Sequence, residues 1–149
     1  MSLSREHHVG LLFCWKIRQG LKYSVDLRRI RQYIMYFWDK HLSGHFEEEA
    51  LFFEQSNDAM VARAYQEHHQ IQTSIASLHT KSQRDLPPSL EEIALLVDDH
   101  IRFEERKLFP VLQQTIPDAV LARLNDAIHQ MQPEPLEDTY TDAFWQEIP

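Results

Sequence analysis

The chain contains only one cysteine, Cys14, among its 149 residues. An internal disulfide is therefore excluded, as is any zinc or iron–sulfur site built on several cysteines. A lone thiol fits a reducing compartment, so the expected location is the cytoplasm. We expect Cys14 to be a buried, inert thiol rather than a redox switch.

Positive charge and long hydrophobic runs are also scarce. The 15 Lys and Arg residues are outnumbered by 23 Asp and Glu residues, which gives a net charge of −8. Such a chain has no basic face with which to neutralise phosphates, so nucleic acid is not an expected partner. No apolar run approaches the roughly 20 residues that span a bilayer, and the polar N-terminus does not resemble a signal peptide. No membrane association is expected.

Glycine is rare as well, with three residues, and β-branched runs are few. These features favour helix over sheet. The apolar periodicity predicts four long helices joined by short connections, which is typical of an up-down-up-down bundle, followed by a short fifth helix. The predicted helices cover about 4–22, 25–55, 59–82, 89–114 and 117–130. We expect an all-α domain over residues 1–130, with its core in about 1–115, and an acidic, aromatic C-terminal tail over 131–149.

Several single residues refine these helices. Ser24 is the candidate cap of the second helix, and the Asn57-Asp58 pair is the candidate cap of the third. Gly44 predicts a bend or a close helix approach, and Tyr65 is expected in the core. Pro110 predicts a late break or kink in the fourth helix.

Nine histidines are the unusual feature of the composition. Two of them begin matched motifs, because His45 precedes Glu49 by four residues and His100 precedes Glu104 by four residues. On an α-helix this spacing places both side chains on one face, so each motif can grip a metal ion from two points. Each motif also follows a Glu-His-His string, which starts at Glu6 in the first half and at Glu67 in the second.

Each Glu-His-His string contains two histidines, and the one that faces the interior is assigned on different grounds in the two strings. His68 shares a face with Val61 and Ile71, whereas His69 falls among polar residues. His7 is preferred to His8 by analogy with that arrangement, although His8 aligns better with the apolar side chains of the first helix. The adjacent carboxylates also remain as alternatives, Glu48 to Glu49 and Glu105 to Glu104.

Four imidazoles and two carboxylates suit iron or manganese, which accept mixed nitrogen and oxygen ligands. Zinc accepts the same groups but usually stops at four ligands. Two carboxylates can bridge two ions, which leaves room for a bridging oxo or hydroxo group and for an exogenous molecule. Two inward carboxylates with no cation partner would be costly to bury.

The order of these motifs, ending in the string from His100 to Pro110, resembles the hemerythrin-like (HHE cation-binding) domain over about residues 1 to 115. The resemblance implies a four-helix bundle that holds two non-haem iron ions and binds O2 or a related small ligand. The implied metal ligands are His7, His45, Glu49, His68, His100 and Glu104. Gln72 departs from the pattern, because oxygen-carrying hemerythrins have a second histidine one turn after the ligand of the third helix.

This departure makes sensing, redox chemistry or iron handling at least as plausible as reversible O2 transport. The leading expectation is a di-iron protein that binds O2 or a similar diatomic molecule and senses, stores or buffers it. The alternatives are a di-iron oxidoreductase that acts on peroxide or nitric oxide, and a metal-handling protein without turnover. The tail or a helix face could also serve a homodimer or a protein partner.

Overall fold

The computed structural model describes residues 3–132 and 137–147, and these residues form helices and turns without a β-strand. Seven α-helical segments, two π-helical segments and two 3₁₀ turns make up the described structure. The α-helical segments are α1 (Ser4–Lys22), α2 (Leu27–Phe37), α3 (Ser43–Phe53), α4 (Ala59–Ala76), α5 (Leu86–Phe103), α6 (Phe109–Thr115) and α7 (Asp118–Met131).

Two of the four long helices of the bundle are composite. The π-helical residues Trp38–Leu42 join α2 to α3, and the π-helical residues Glu104–Leu108 join α5 to α6. The junction residues keep right-handed helical dihedrals, so each composite helix runs on without a loop. With α1 and α4 they form the predicted all-α four-helix bundle, in which α5 packs against α1 and α4.

The second helix begins later than predicted because a different residue caps it. The Asp26 side chain accepts a hydrogen bond from the backbone N–H of Arg28, so the helix starts at Leu27 rather than at Val25. Ser24 does not cap this helix but takes the left-handed conformation of the preceding turn, with φ of 56°. The third helix starts as predicted, since Asp58 accepts from the N–H of Met60.

The fourth helix tolerates its prolines better than the sequence predicted. It starts at Leu86, with Pro87 and Pro88 in the first turn, where a missing N–H leaves no internal bond unmade. Pro110 does not end the helix, which continues to Thr115. The π turn directly before Pro110 changes the hydrogen-bond spacing from i+4 to i+5, which accommodates a residue that has no N–H to donate.

Two other predictions were wrong, one of them in part. Of the two alternatives for Gly44, a close helix approach is excluded, because a Cβ added there would meet nothing within 4 Å. Tyr65 is not a core residue, since 41% of it is exposed. Cys14, in contrast, is buried as predicted, and burial raises the pKa of its thiol to about 12. The reactive thiolate is therefore negligible near neutral pH.

Two apolar clusters fill the bundle. The larger cluster includes Phe13, Ile34 and Leu90, and the smaller one includes Phe52 and Leu112. Phe46 belongs to the larger cluster and Phe53 to the smaller, and both rings contact His68. The predicted metal-binding residues therefore lie where two dry cores meet.

The described part of the tail packs across the bundle. Phe144 is fully buried in the larger cluster, beside Tyr33. The Asp138 carboxylate accepts hydrogen bonds from the hydroxyl of Tyr33 and from Lys16 Nζ, the latter at 3.0 Å. Arg29 holds Asp142 through two hydrogen bonds, of 3.0 and 2.7 Å. The tail is thus anchored to α1 and α2 by both apolar and charged contacts.

Across the described ranges, no helix combines the length and the apolar character needed to cross a membrane.

The tail contact can be tested by truncating its buried ring. Phe144→Ala should lower the free energy of unfolding by about 3–5 kcal/mol, because it removes a fully buried aromatic side chain. Urea denaturation followed by circular dichroism measures this change. Gln146→Ala, at an exposed site in the same short helix, is the control and should unfold like the wild type. Equal stability of the two variants would show that the tail is not docked.

Candidate metal centre

All six predicted metal-binding residues meet in the interior of the bundle. They come from all four long helices, with His7 on α1, the first matched motif on α3, His68 on α4, and His100 at the end of α5. Glu104 is the first residue of the π turn that follows α5. Glu49 and Glu104 are completely inaccessible to solvent, and the four histidines are at most 8% exposed.

The six residues form two overlapping sets of four. One set contains His7 and His45, the other contains His68 and His100, and both contain Glu49 and Glu104. Within each set, every residue offers one nitrogen or oxygen atom that lies within 4.8 Å of the others. The two carboxylates therefore stand between two histidine pairs.

The distances follow from the sequence spacing and from helix packing. Within the two matched motifs, His45 Nε2 lies 2.9 Å from Glu49 Oε1, and His100 Nε2 lies 3.3 Å from Glu104 Oε2. Across helices, His7 Nε2 lies 3.2 Å from Glu104 Oε1 and His68 Nε2 lies 3.6 Å from Glu49 Oε1. Each carboxylate is thus approached by one histidine of its own long helix and one of another helix, and Glu104 Oε2 also lies 3.9 Å from His68 Nε2.

A second layer of carboxylates holds the outer nitrogen of three histidines. Glu67 Oε1 lies 2.8 Å from His100 Nδ1, and Glu105 Oε1 lies 2.6 Å from His7 Nδ1. Glu6 forms the equivalent hydrogen bond with His45 Nδ1. The first glutamate of each Glu-His-His string thus orients a histidine on the next long helix. Sequence reasoning missed this role, although the repetition of that glutamate was the available signal.

These outer hydrogen bonds fix the tautomer of each ring when it is neutral. A carboxylate only accepts, so Nδ1 of a neutral ring carries the proton and Nε2 presents its lone pair to the interior. The Nε2 atoms of all four histidines and both oxygens of Glu49 and of Glu104 are buried without a hydrogen-bond partner in the described residues. Lone pairs facing lone pairs are unfavourable, whereas a cation between them would be bound by both. The donor set therefore fits a metal.

The pKa shifts describe how the protein alone balances these charges. Burial by itself would lower the pKa of His45, but the negative charges and hydrogen bonds of Glu49 and Glu6 outweigh it and raise that pKa to about 10. Burial would raise the pKa of Glu49, yet His45 and His68 hold it below its usual range. Burial lowers the pKa of His7 and of His68, which keeps both rings neutral. A metal must displace the proton on His45, because a ligating imidazole is neutral.

The alternative ligands that the sequence did not exclude lie at different positions from the six residues above. His8 and His69 are exposed, and the side chain of Glu105 is 40% exposed while it holds His7. Glu48 is buried but lies beside Glu6 rather than between the histidine pairs. Gln72 is exposed, so it does not reach the interior at all.

A small cavity adjoins this centre. Its volume is about 20 Å³, enough for one water-sized molecule. One wall consists of His7, His45, His100 and Glu104 together with Glu6. The other walls are mainly apolar and are formed by Gly10, Phe37, His41, Leu42, Phe46, Val97 and Ile101.

Residues 3–112 match the profile of the hemerythrin HHE cation-binding domain. Since this match covers more than half of the 149 residues, the chain belongs to the hemerythrin HHE family. The buried groups of histidine and glutamate described above can hold a metal ion, in agreement with the cation binding that defines the family. Comparisons with curated proteins and with solved structures gave no match.

The second layer of carboxylates gives a prediction. Glu67→Ala should weaken divalent-metal affinity by about 10–100-fold, because His100 loses the partner that fixes its orientation and tautomer. Competition with a chromophoric chelator measures this loss. Gln66→Ala, at the exposed neighbouring position, should leave the affinity unchanged. Equal affinities in both variants would refute the orienting role of Glu67.

Proposed function

We propose that the protein holds two non-haem iron ions and binds O2 or a related small ligand, for sensing, storage or buffering. His7 and His45 would bind one ion, and His68 and His100 would bind the other. Glu49 and Glu104 would contact both ions. Iron held there would supply a redox-active pair with positions open to a small molecule.

The observation that carries this proposal is the sharing of the two carboxylates. A single ion would need only one set of four donors, whereas these six residues form two sets with Glu49 and Glu104 in common. Two histidines and two carboxylate oxygens per ion leave positions for a bridging oxo or hydroxo group and for an exogenous ligand. The mixed donors suit iron best among common metals, with manganese or zinc as substitutes.

The adjoining cavity supports a small ligand. Its volume of about 20 Å³ excludes an organic substrate but admits a molecule of diatomic size. Phe37, Val97 and Ile101 keep that space largely apolar, which favours neutral molecules over ions. His7, His45, His100 and Glu104 border the same space, so a ligand there would sit against the metal-binding side chains.

The second candidate is a di-iron oxidoreductase that acts on peroxide or nitric oxide. The exposed position of Gln72 favours it, because Gln72 then contributes no ligand. Each proposed ion receives only two histidines, so both ions keep open coordination positions. A substrate could approach either ion. Metal handling without turnover is the remaining alternative.

Metal analysis provides the first test of the dinuclear proposal. Iron-loaded protein should contain about two ions per chain. Both His100→Ala and Glu104→Ala should abolish stable loading, since each removes a buried donor. His69→Ala removes an exposed histidine on the same helix as His68 and should load like the wild type. A tightly bound maximum of one ion per chain would refute the dinuclear proposal.

Anaerobic spectroscopy distinguishes the two candidate functions. Exposure of the reduced, iron-loaded protein to O2 should produce new near-ultraviolet absorption. Removal of O2 should reverse the spectrum if the protein is a reversible binder. Irreversible oxidation, or turnover with added peroxide or nitric oxide, would instead favour the oxidoreductase.

A further inference from the structure

A second group of possible ligands lies outside the buried centre. Glu6, His45 and Glu48 each offer an atom within 4.8 Å of the others. His45 Nδ1 contacts Oε2 of Glu6, so Oε1 of Glu6 can face Glu48. His45 therefore links the two glutamates to the buried centre, with Nδ1 on Glu6 and Nε2 on Glu49.

Glu48 is a buried carboxylate whose charge is poorly compensated by its neighbours. It is only 4% exposed, and its Oε2 has no hydrogen-bond partner within the described residues. Its charged neighbours are the carboxylates of Glu6 and Glu49, of the same sign, and the imidazole of His45, whose Nδ1 is already held by Glu6. One shared imidazole does not compensate a buried carboxylate that lies beside two others.

Gln132 completes the group from a third direction. The end of its side-chain amide lies 3.0 Å from Glu6 Oε1 and 3.2 Å from Glu48 Oε1. With the NH₂ group turned inward, the amide donates a hydrogen bond to each carboxylate. With the carbonyl turned inward, three oxygens of three side chains converge, which is the donor arrangement that hard divalent cations prefer. A half-turn of one amide therefore converts the group from a closed state to a cation-binding state.

Gln132 reaches the group from the fifth helix. It is the residue directly after α7, which packs against α3. Both the helix and the residue lie beyond residues 3–112, the part that matches the family profile. The end of the fifth helix thus places an amide over two glutamates of the four-helix bundle.

We propose that Glu6, Glu48 and Gln132 form a third cation-binding site, which takes a hard divalent cation such as Mn²⁺ or Fe²⁺ on its way to the buried centre. The existence of the site does not depend on the proposed function, but its role in loading does. Glu6 joins the two sites, because one of its oxygens faces the outer group while the other holds His45. A cation at the outer site is therefore separated from the centre by a single imidazole ring.

Manganese titration tests the site directly. Free Mn²⁺ is measured by electron paramagnetic resonance while Mn²⁺ is added to metal-free protein. The wild type should bind two ions tightly and a third at least about tenfold more weakly, because the outer site has three side-chain donors whereas each inner set has four. Glu48→Gln keeps the shape of the side chain but removes its charge, and it should lose only the third ion. Glu47→Gln, at the exposed neighbouring position, should retain all three.

Two further variants separate this proposal from the dinuclear one. His68→Ala damages the buried centre without touching the outer group, so it should still bind the weak ion. Gln132→Ala should weaken that ion while leaving the tight ions in place. Retention of the weak ion by Glu48→Gln would overturn the proposal, as would loss of a tight ion, which would make Glu48 a ligand of the centre.

The loading role has its own measurement. Stopped-flow mixing of metal-free protein with Fe²⁺ under anaerobic conditions should show slower filling of the centre in Glu48→Gln than in Glu47→Gln, with the same final occupancy of the two tight positions. Equal rates would overturn the loading role. A wild type with one tight ion and one weak ion sensitive to Glu48→Gln would refute the dinuclear proposal but support the outer site.

Discussion

The structure depends on two carboxylates that have no access to water. Glu49 and Glu104 lie at the point where all four long helices meet, and neither oxygen of either residue has a hydrogen-bond partner in the described part of the chain. An isolated buried carboxylate costs several kcal/mol, so positive charge must be supplied at this point. His45 supplies that charge as a bound proton, or the histidines share the carboxylates with a metal. The rest of the interior is arranged around this requirement.

The two halves of the centre are similar but not equivalent. In both halves a glutamate from the Glu-His-His string holds the histidine of the matched motif. Glu105 holds His7 in addition, whereas the residue that follows Glu49 is Ala50 and can hold nothing. His68 instead has its ring stacked on Phe46, with the centroids 3.7 Å apart. One histidine pair thus has two outer hydrogen bonds, and the other has one outer hydrogen bond and a close stacking contact on Phe46.

Much of this arrangement could be predicted from the sequence. The four-residue spacing of His45 and Glu49, and of His100 and Glu104, determines that each pair shares a helical face, so their convergence follows from helix geometry. The choice of His68 over His69 follows from the apolar stripe of α4. That apolar periodicity also predicted the four long helices and α7 within a few residues.

Other features depended on information that periodicity does not carry. The outer role of Glu6 and Glu67 requires knowing which helices are neighbours, because these glutamates act on histidines 39 and 33 residues away. Pro110 indicated a break in the α-helical pattern, but not that the break would be a π turn, which has no clear sequence signal. The domain boundary at residue 130 and the assignment of the six metal ligands stay predictions.

The two π turns have a consequence for how the protein can change. A π turn holds one residue more than an α-helical turn, so the segments on either side differ in phase by about 100° from a continuous α-helix. In the second long helix this offset lies between α2 and α3. The buried residues of α2 belong to the core beneath the tail, whereas α3 carries His45 and Glu49. Each segment can therefore direct its own buried residues to the interior, the apolar side chains of α2 and the metal-binding side chains of α3. Deletion of a single residue from 38–42 would restore regular phase and turn one of these faces away from the interior, so the length of this short segment is constrained more strictly than its composition.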